Sequence, residues 1–477
     1  MRKSIIKIFA LLLVAGVAFV SCSKESSEIE SPSNGYKVSI PANKISSKAV
    51  ADGGTATFKT TENVYVCNTS NGNAIDVNVL HPSANAASAN FDGTLAGTYN
   101  VGNNLKILYN TNVSGVADYS SQNGTLAGVV DAGVASVDVT DISGGTITTG
   151  TASISNLQSI FKFQFKNGGV GDPLTIKFVR ITSVGNNLQY EYNAVTETAS
   201  YGPIDVTNTS GITTVYVALR FDAAPSDPII FQVVDSYGKV YTGTKNAPAS
   251  TGFVNSKFYT STISVTPHVF TVASGKTVYF APGNLGVDGT TYSFIKPFEN
   301  WGQFGGNPAT LSKRAYFNWN ELSSPYTVYG ISSWEILTQP EWSYLLNTRT
   351  MADGVQRYYR IRDNYNSYNG LLLPPDNATS DDVAGLTSGG LTSNVDYKTY
   401  IKKGFVFLHY TGYWSSGAWR YPEYPNPASS NRGRCYYWSS AKNDSNGYCL
   451  TVNDSKVDPT DYWNKSTYYL GVRLVHE

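Results

Sequence analysis

Charge is what this 477-residue chain has least of. Asp, Glu, Lys and Arg make up 15% of it, and 35 basic residues balance 35 acidic ones. That balance argues against a nucleic-acid partner, which needs a basic face. Histidine is sparse and scattered, at His81, His268, His409 and His476. Cysteine is equally rare, at Cys22, Cys67, Cys435 and Cys449. A thiol with no base or metal beside it is a poor nucleophile, and no catalytic Cys/His pairing or carboxylate pair can be placed, so the chain reads as a non-enzyme. Tryptophan is missing before residue 300: all eight lie between Trp301 and Trp463. Arginine is missing between Arg2 and Arg180. Past the N-terminus no apolar run is long enough to cross a bilayer.

What is present begins with a targeting segment. Arg2, Lys3 and Lys7 precede an apolar run from Ile8 to Val20 that ends at Phe19-Val20-Ser21-Cys22. This is the layout of a signal peptide over residues 1–21. The ending resembles a bacterial lipobox, with Phe19 where that pattern prefers Leu, and the resemblance implies lipidation at Cys22. A polar, acidic tether follows over residues 22–34 and offers nothing apolar to pack. Its acidic residues resemble the surface-export signal of Bacteroidetes lipoproteins. The expected location is therefore the outer membrane, at the cell surface, with the lipid anchor as the only membrane contact.

The part before residue 267 reads as all-β. Short β-branched or alternating runs recur between Gly, Asn, Asp and Ser turns: Val64–Cys67, Leu105–Tyr109, Ile160–Phe165, Leu174–Val179, Thr214–Leu219 and Ile229–Val234. Phe161, Phe163 and Phe165 share one strand face, with Lys162 and Gln164 on the other. No helical apolar stripe appears. Two packed sandwiches, over residues 35–166 and 167–266 and divided near Asn167-Gly168-Gly169, are the simplest arrangement.

The stretches TENVYVCN (61–68), ANFDGTLAGTYNVGNNLKILYN (89–110) and ISNLQSIFKFQFKN (154–167) resemble the fimbrillin-like proteins of Bacteroidales, over about residues 35–265. The resemblance implies two transthyretin-like β-sandwiches. It also implies assembly, in which a protease removes an N-terminal strand and a neighbouring pilin subunit's strand fills the groove by β-strand addition. Cleavage in that family commonly follows Arg. Here the missing Arg leaves Lys44 and Lys48 as processing candidates, or no cleavage at all.

Residues 267–477 mix strands with two expected helices. Thr338-Gln339-Pro340-Glu341 is a capping box with Pro in the first turn, and Trp342, Leu345 and Leu346 form the inward stripe that follows. A second helix is expected over residues 396–403, closed by Lys402, Lys403 and Gly404. Strands are expected at 405–408, 436–439, 448–452 and 468–475. VYFAPGNL (278–285), WEILTQPEWSYLL (334–346), GLLLPPD (370–376), GFVFLHYTGYW (404–414), YYWSSAKNDSNGYCLTV (436–452) and YYLGVRLV (468–475) together resemble the Fibrobacter major paralogous domain. This resemblance implies an α+β, C-type-lectin-like domain related to formylglycine-generating enzymes. It implies further that residues 442–469 carry variable binding positions. The spacing of Cys435 and Cys449 does not match the closely spaced copper-binding Cys pair of those enzymes.

Aromatic residues in polar loops make up the candidate ligand surface: Trp414, Trp419, Tyr421, Tyr424, Tyr462 and Trp463, with Lys442, Asp444, Asn446 and Tyr448 on the hairpin. Such mixtures suit adaptable recognition and stacking on sugar rings, and the competing reading is that several simply pack in a loop-rich core. If residues 438–450 form a hairpin, Cys435 and Cys449 are either a cross-strand disulfide or two buried thiols. Cys67 reads as a buried apolar residue. No cofactor is expected; Glu423, Asn426, Asn453 and Asp454 offer oxygens to calcium only in a faint lectin-like pattern. The expected role is a surface lipoprotein adhesin, binding a glycan or protein ligand on host or neighbouring cells. It is either a fimbrial tip subunit, as the short tail after Val475 suggests, or an unassembled anchored protein.

Overall fold

The computed structural model describes residues 35–44, 57–168, 171–222, 225–296, 308–363, 368–420, 434–453 and 455–477. The chain is multidomain and nearly all β. Cys22, Lys48, Tyr421, Glu423, Tyr424, Asn426 and Asp454 lie outside the described residues, as does the side chain of Trp419.

Among the described residues, nine strands form the first sheet. Its first strand, Tyr36–Lys44, is buried at every second residue and lies between Ser88–Leu95 on one side and Thr146–Thr149 and Ala152–Asn156 on the other. Tyr36, Val38, Ile40 and Ala42 point inward onto Phe58, Phe91 and Tyr109. The alternation is the period of two that a half-buried strand requires.

Among the described residues, eleven strands form the second sheet. Ser159–Asn167 lies inside it, antiparallel to Val215–Phe221 and parallel to Phe258–Pro267. Phe161, Phe163 and Phe165 are buried there as the alternation predicted. The expected division at residues 167–169 is therefore corrected: the chain changes sheets between Asn156 and Ser159. Long-range pairing decides this, since Ser159–Asn167 has its hydrogen-bonding partners some 50 to 100 residues downstream, where no local pattern points. Two short strands from the first part, Val116–Asp118 and Ser121–Gln122, also pair into the second sheet.

Sheet membership changes again after Pro267. Among the described residues, the rest of the chain forms four smaller sheets and the helix Gln339–Asn347. The helix begins as its sequence specifies: Thr338 caps it, Glu341 reaches back to the Thr338 N–H at 2.7 Å, and Trp342, Leu345 and Leu346 are buried. The second helix is shorter than expected, Lys398–Ile401, with Gly404 at φ 87° just beyond it. The expected last strand is two strands in two sheets, Tyr468–Leu470 and Arg473–His476, interrupted at Gly471-Val472. The Gly471 N–H donates to the Tyr436 carbonyl and the Trp438 N–H to the Gly471 carbonyl. That crossing leaves little room for a side chain at position 471.

The second sheet and the C-terminal region share a core, in which Phe178, Val234 and Val240 meet Phe294 and Trp334, and are further joined through Arg180, which is buried. Its guanidinium donates to both carboxylate oxygens of Asp205 and to the carbonyls of Pro282, Phe294 and Ile295. Among the described residues, no helix is long and apolar enough to cross a membrane.

Candidate functional site

The segment Tyr436–Val452 is a hairpin, and most of it is core. Cys435–Asn443 and Asn446–Val452 pair antiparallel, and Val457–Asn464 adds a third strand. Tyr436, Tyr437, Trp438 and Ser439 are buried. The Trp438 indole N–H donates to the Phe317 carbonyl at 2.6 Å. The Tyr437 hydroxyl accepts from Asn284 at 3.1 Å and donates to the His409 carbonyl at 3.1 Å. Burial holds that phenol far above its ordinary range.

The strands alternate between two cores. Tyr436, Trp438 and Cys449 face one, with Leu470 and Val472. Cys435, Tyr437, Leu450 and Val452 face the other, against Trp342, Leu345 and Leu346 of the helix. This overturns the disulfide reading of Cys435 and Cys449, which are not bonded to each other. Cys435 stands opposite Val452 and Cys449 opposite Trp438, so the two thiols project to opposite faces of the sheet. Burial pushes the Cys449 thiol well up, which makes it inert. Cys67 is buried in the first sheet, as expected.

Only the end of the hairpin faces solvent. Asn443 pairs with Asn446 across a tight turn in which Asp444 takes φ 45°. Lys442 and Asp444 are exposed, and Asn446 and Tyr448 half-buried. Tyr448 stands directly across from Tyr462, ring centroids 6.4 Å apart and edge-on. Tyr462 is 56% exposed. The turn is braced from below: the Lys465 ammonium donates to the Asp444 carbonyl and lies 5.2 Å above the Trp319 ring. The Trp319 indole in turn donates to the Ser439 carbonyl at 2.9 Å.

The remaining candidates divide. Trp463, next to Tyr462 in the strand, points the other way into an aromatic cluster with Tyr468 at 4.5 Å, Tyr413 at 4.7 Å and Tyr436 at 5.1 Å. Its indole N–H reaches Asp461 at 3.2 Å, and Asp461 also accepts from Thr451 at 2.8 Å. Trp463 is therefore scaffold rather than a free binding surface, because one-residue alternation sends neighbours to opposite faces. Trp414 packs edge-on against Tyr469 at 5.5 Å in a separate four-stranded sheet, where its backbone pairs with that of Trp419. Sequence reasoning missed Tyr413, Tyr468 and Trp319 as supports; their only signal is aromatic density in polar loops. Of the calcium candidates, Asn453 has its side-chain oxygen occupied by the Ser455 and Lys456 N–H groups and the Ser455 hydroxyl. Among the described residues, no three His, Cys, Asp or Glu side chains are grouped to hold a metal.

Lys44 is not open to a protease. Its side chain is wholly buried at the end of the first strand, paired with Asp131. A trypsin-like enzyme must draw the lysine into its own pocket, so the expected processing at this residue has no physical route while the first sheet is folded.

No family model and no curated protein matches the chain. Several solved structures align with about half of it. A Bacteroides uniformis protein named for cell adhesion covers 50% of this chain and 97% of its own, at 18% identity and a TM-score of 0.30. A fimbrial assembly protein from Parabacteroides distasonis covers 51% and 94%, at 10% identity and a TM-score of 0.29. A cell adhesion protein from Bacteroides ovatus covers 49% and 96%, at 15% identity and a TM-score of 0.29. Scores this low carry no argument about what this chain does.

Proposed function

We propose that this chain is a surface lipoprotein adhesin, held at the outer membrane through lipid on Cys22. Its C-terminal, C-type-lectin-like domain binds a glycan or protein ligand on host or neighbouring cells. The observation that carries this reading is the hairpin end: Tyr462 and Tyr448 paired across two strands, with Lys442, Asp444 and Asn446 beside them, on a rigid aromatic base. Exposed aromatics with adaptable polar neighbours on a preorganised support are what recognition surfaces use. The role needs neither catalysis nor a cofactor.

Assembly with other pilin subunits by strand addition is the second reading. It is favoured by the first strand, which fills a groove between its two neighbours with four inward side chains. The burial of Lys44 stands against release by cleavage there, so the anchored, unassembled adhesin is preferred.

The test is glycan-array and host-protein-array binding by the full chain, with and without calcium. A specific hit lost in Tyr462→Ala, with the melting temperature unchanged, supports the reading. Binding that survives Tyr462→Ala and Tyr448→Ala, or silence from the folded protein on both arrays, overturns it.

A further inference from the structure

The first sheet holds a lysine in an unusual setting. The Lys44 side chain is 0% exposed. Its ammonium contacts Asp131 Oδ2 and lies 3.2 Å from the Tyr109 hydroxyl and 3.3 Å from the Thr57 carbonyl. Phe58 and Tyr109 wall it, with ring centroids 5.5 Å and 4.6 Å from the nitrogen. The Tyr109 hydroxyl donates in turn to the Glu62 carboxylate. On the far side, Gln158, itself fully buried, directs its amide N–H at Asp131 Oδ1 at 3.4 Å. The buried Tyr119 hydroxyl donates to the Gln158 side-chain oxygen at 3.0 Å and fixes its orientation.

This is more apparatus than an ion pair requires. One amine faces one carboxyl group inside an aromatic box. A second carboxylate is linked to the amine through a hydroxyl, and an amide donor covers the carboxyl oxygen that the amine does not touch. We propose that Lys44 and Asp131 become joined by an intramolecular amide bond, formed by the folded protein itself.

The chemistry balances without any co-reactant. One proton passes from the lysine ammonium to the Asp131 carboxylate. The amine lone pair then attacks Asp131 Cγ, and negative charge gathers on Oδ1, where the Gln158 N–H stabilises it. Glu62, through the Tyr109 hydroxyl, accepts the surplus proton from the attacking nitrogen and returns it to Oδ2, which leaves as water. In total, an ammonium and a carboxylate give an amide and one water molecule. Asp131, 14% exposed, is the side open for that water to leave. Fixed contact between the reacting groups replaces a bimolecular encounter, an effect that reaches effective molarities of about 10⁵–10⁸ M. Holding two opposite charges out of water is costly, and a neutral amide that keeps the contact removes that cost.

The bond would tie the end of the first strand to the segment leading into Gly133–Ser143, 87 residues away. A lysine held as an amide is also no longer a substrate for a trypsin-like protease. The proposal is independent of the adhesin reading.

The test is peptide mapping by mass spectrometry of the full chain, denatured and digested with trypsin. The expected result is a linked peptide pair carrying Lys44 and Asp131, lighter than its two parts by one water, with no cut after Lys44. Lys44→Arg should return only linear peptides. Glu62→Gln, checked for folding by circular dichroism, should lower the linked fraction at a fixed time after folding by about 100-fold, the low end of what general acid–base help supplies. Quantitative recovery of linear peptides ending at Lys44 from folded wild-type protein overturns the proposal. Full linkage in Glu62→Gln overturns the relay assigned to Glu62.

Discussion

Arg180→Met should weaken the junction between the second sheet and the C-terminal region, leaving their shared apolar core to hold it. All five guanidinium N–H groups are in use: two bonds to Asp205 at 2.8 Å, two from one nitrogen to Pro282 and Ile295 at 3.0 Å, and one to Phe294 at 2.7 Å. Methionine fills the space but donates nothing. It leaves the Asp205 carboxylate, 13% exposed, without its cation, and three carbonyls without this donor. Breaking a buried pair from one side costs about 3–5 kcal/mol, and each stranded carbonyl adds up to about 1–3 kcal/mol unless water reaches it. A loss of at least about 3–5 kcal/mol is therefore expected. Every tryptophan lies in the region after residue 300, so urea unfolding followed by tryptophan fluorescence reports that region, while circular dichroism reports all the sheets. In the variant the fluorescence transition should move to lower urea and part from the circular dichroism transition. Arg180→Met/Asp205→Leu should recover part of the loss, since it removes the stranded charge as well. A loss under about 1 kcal/mol, with the two transitions still coincident, would refute the clamp.

Further outcomes follow from the same packing. Gly447→Ala should destabilise by about 1–3 kcal/mol, because its methyl group would sit 2.7 Å from Trp319 Cγ and break the hydrogen bond to Ser439; thermal melting checks it. Thr338→Ala should cost about 0.5–2 kcal/mol through loss of the helix cap, read the same way. Trp463→Ala should lower the melting temperature while Tyr462→Ala should not, since the first opens the aromatic cluster and the second trims an exposed ring. His268, whose ring contacts Thr242 at 2.7 Å, is lowered by burial from 6.5 to about 4. The unfolded chain therefore takes up the proton first. Stability from this group is complete above pH 6.5 and falls as pH drops toward 4, by on the order of 2–3 kcal/mol, and His268→Gln should flatten that part of the stability–pH curve.

Local features were legible in the sequence. The helix at 339–347 could be read from Thr338, Pro340 and Glu341 because capping is settled within one turn. The turn near Asp444 and the inward Phe161, Phe163 and Phe165 were legible for the same reason: short-range backbone chemistry and a period of two. The candidate site was legible as a region and not as a surface. Tyr462 and Trp463 look alike in the sequence, and only packing decides which of two neighbours is buried. Of the two readings left open for Cys435 and Cys449, the buried thiols hold, because the register sets Cys435 opposite Val452 and Cys449 opposite Trp438, on opposite faces of the sheet.

The sequence by itself determined the β-rich class, the helix start, and the crowding of aromatic residues toward its end. Those properties depend on residue type and on neighbours a few positions away. The tertiary structure alone decided that Ser159–Asn167 belongs to the second sheet, that Arg180 reaches three carbonyls more than 100 residues distant, and that Lys44 meets Asp131. Each is a contact between segments far apart in the chain. Its free energy comes from burial and hydrogen bonding that exist only once the sheets have closed.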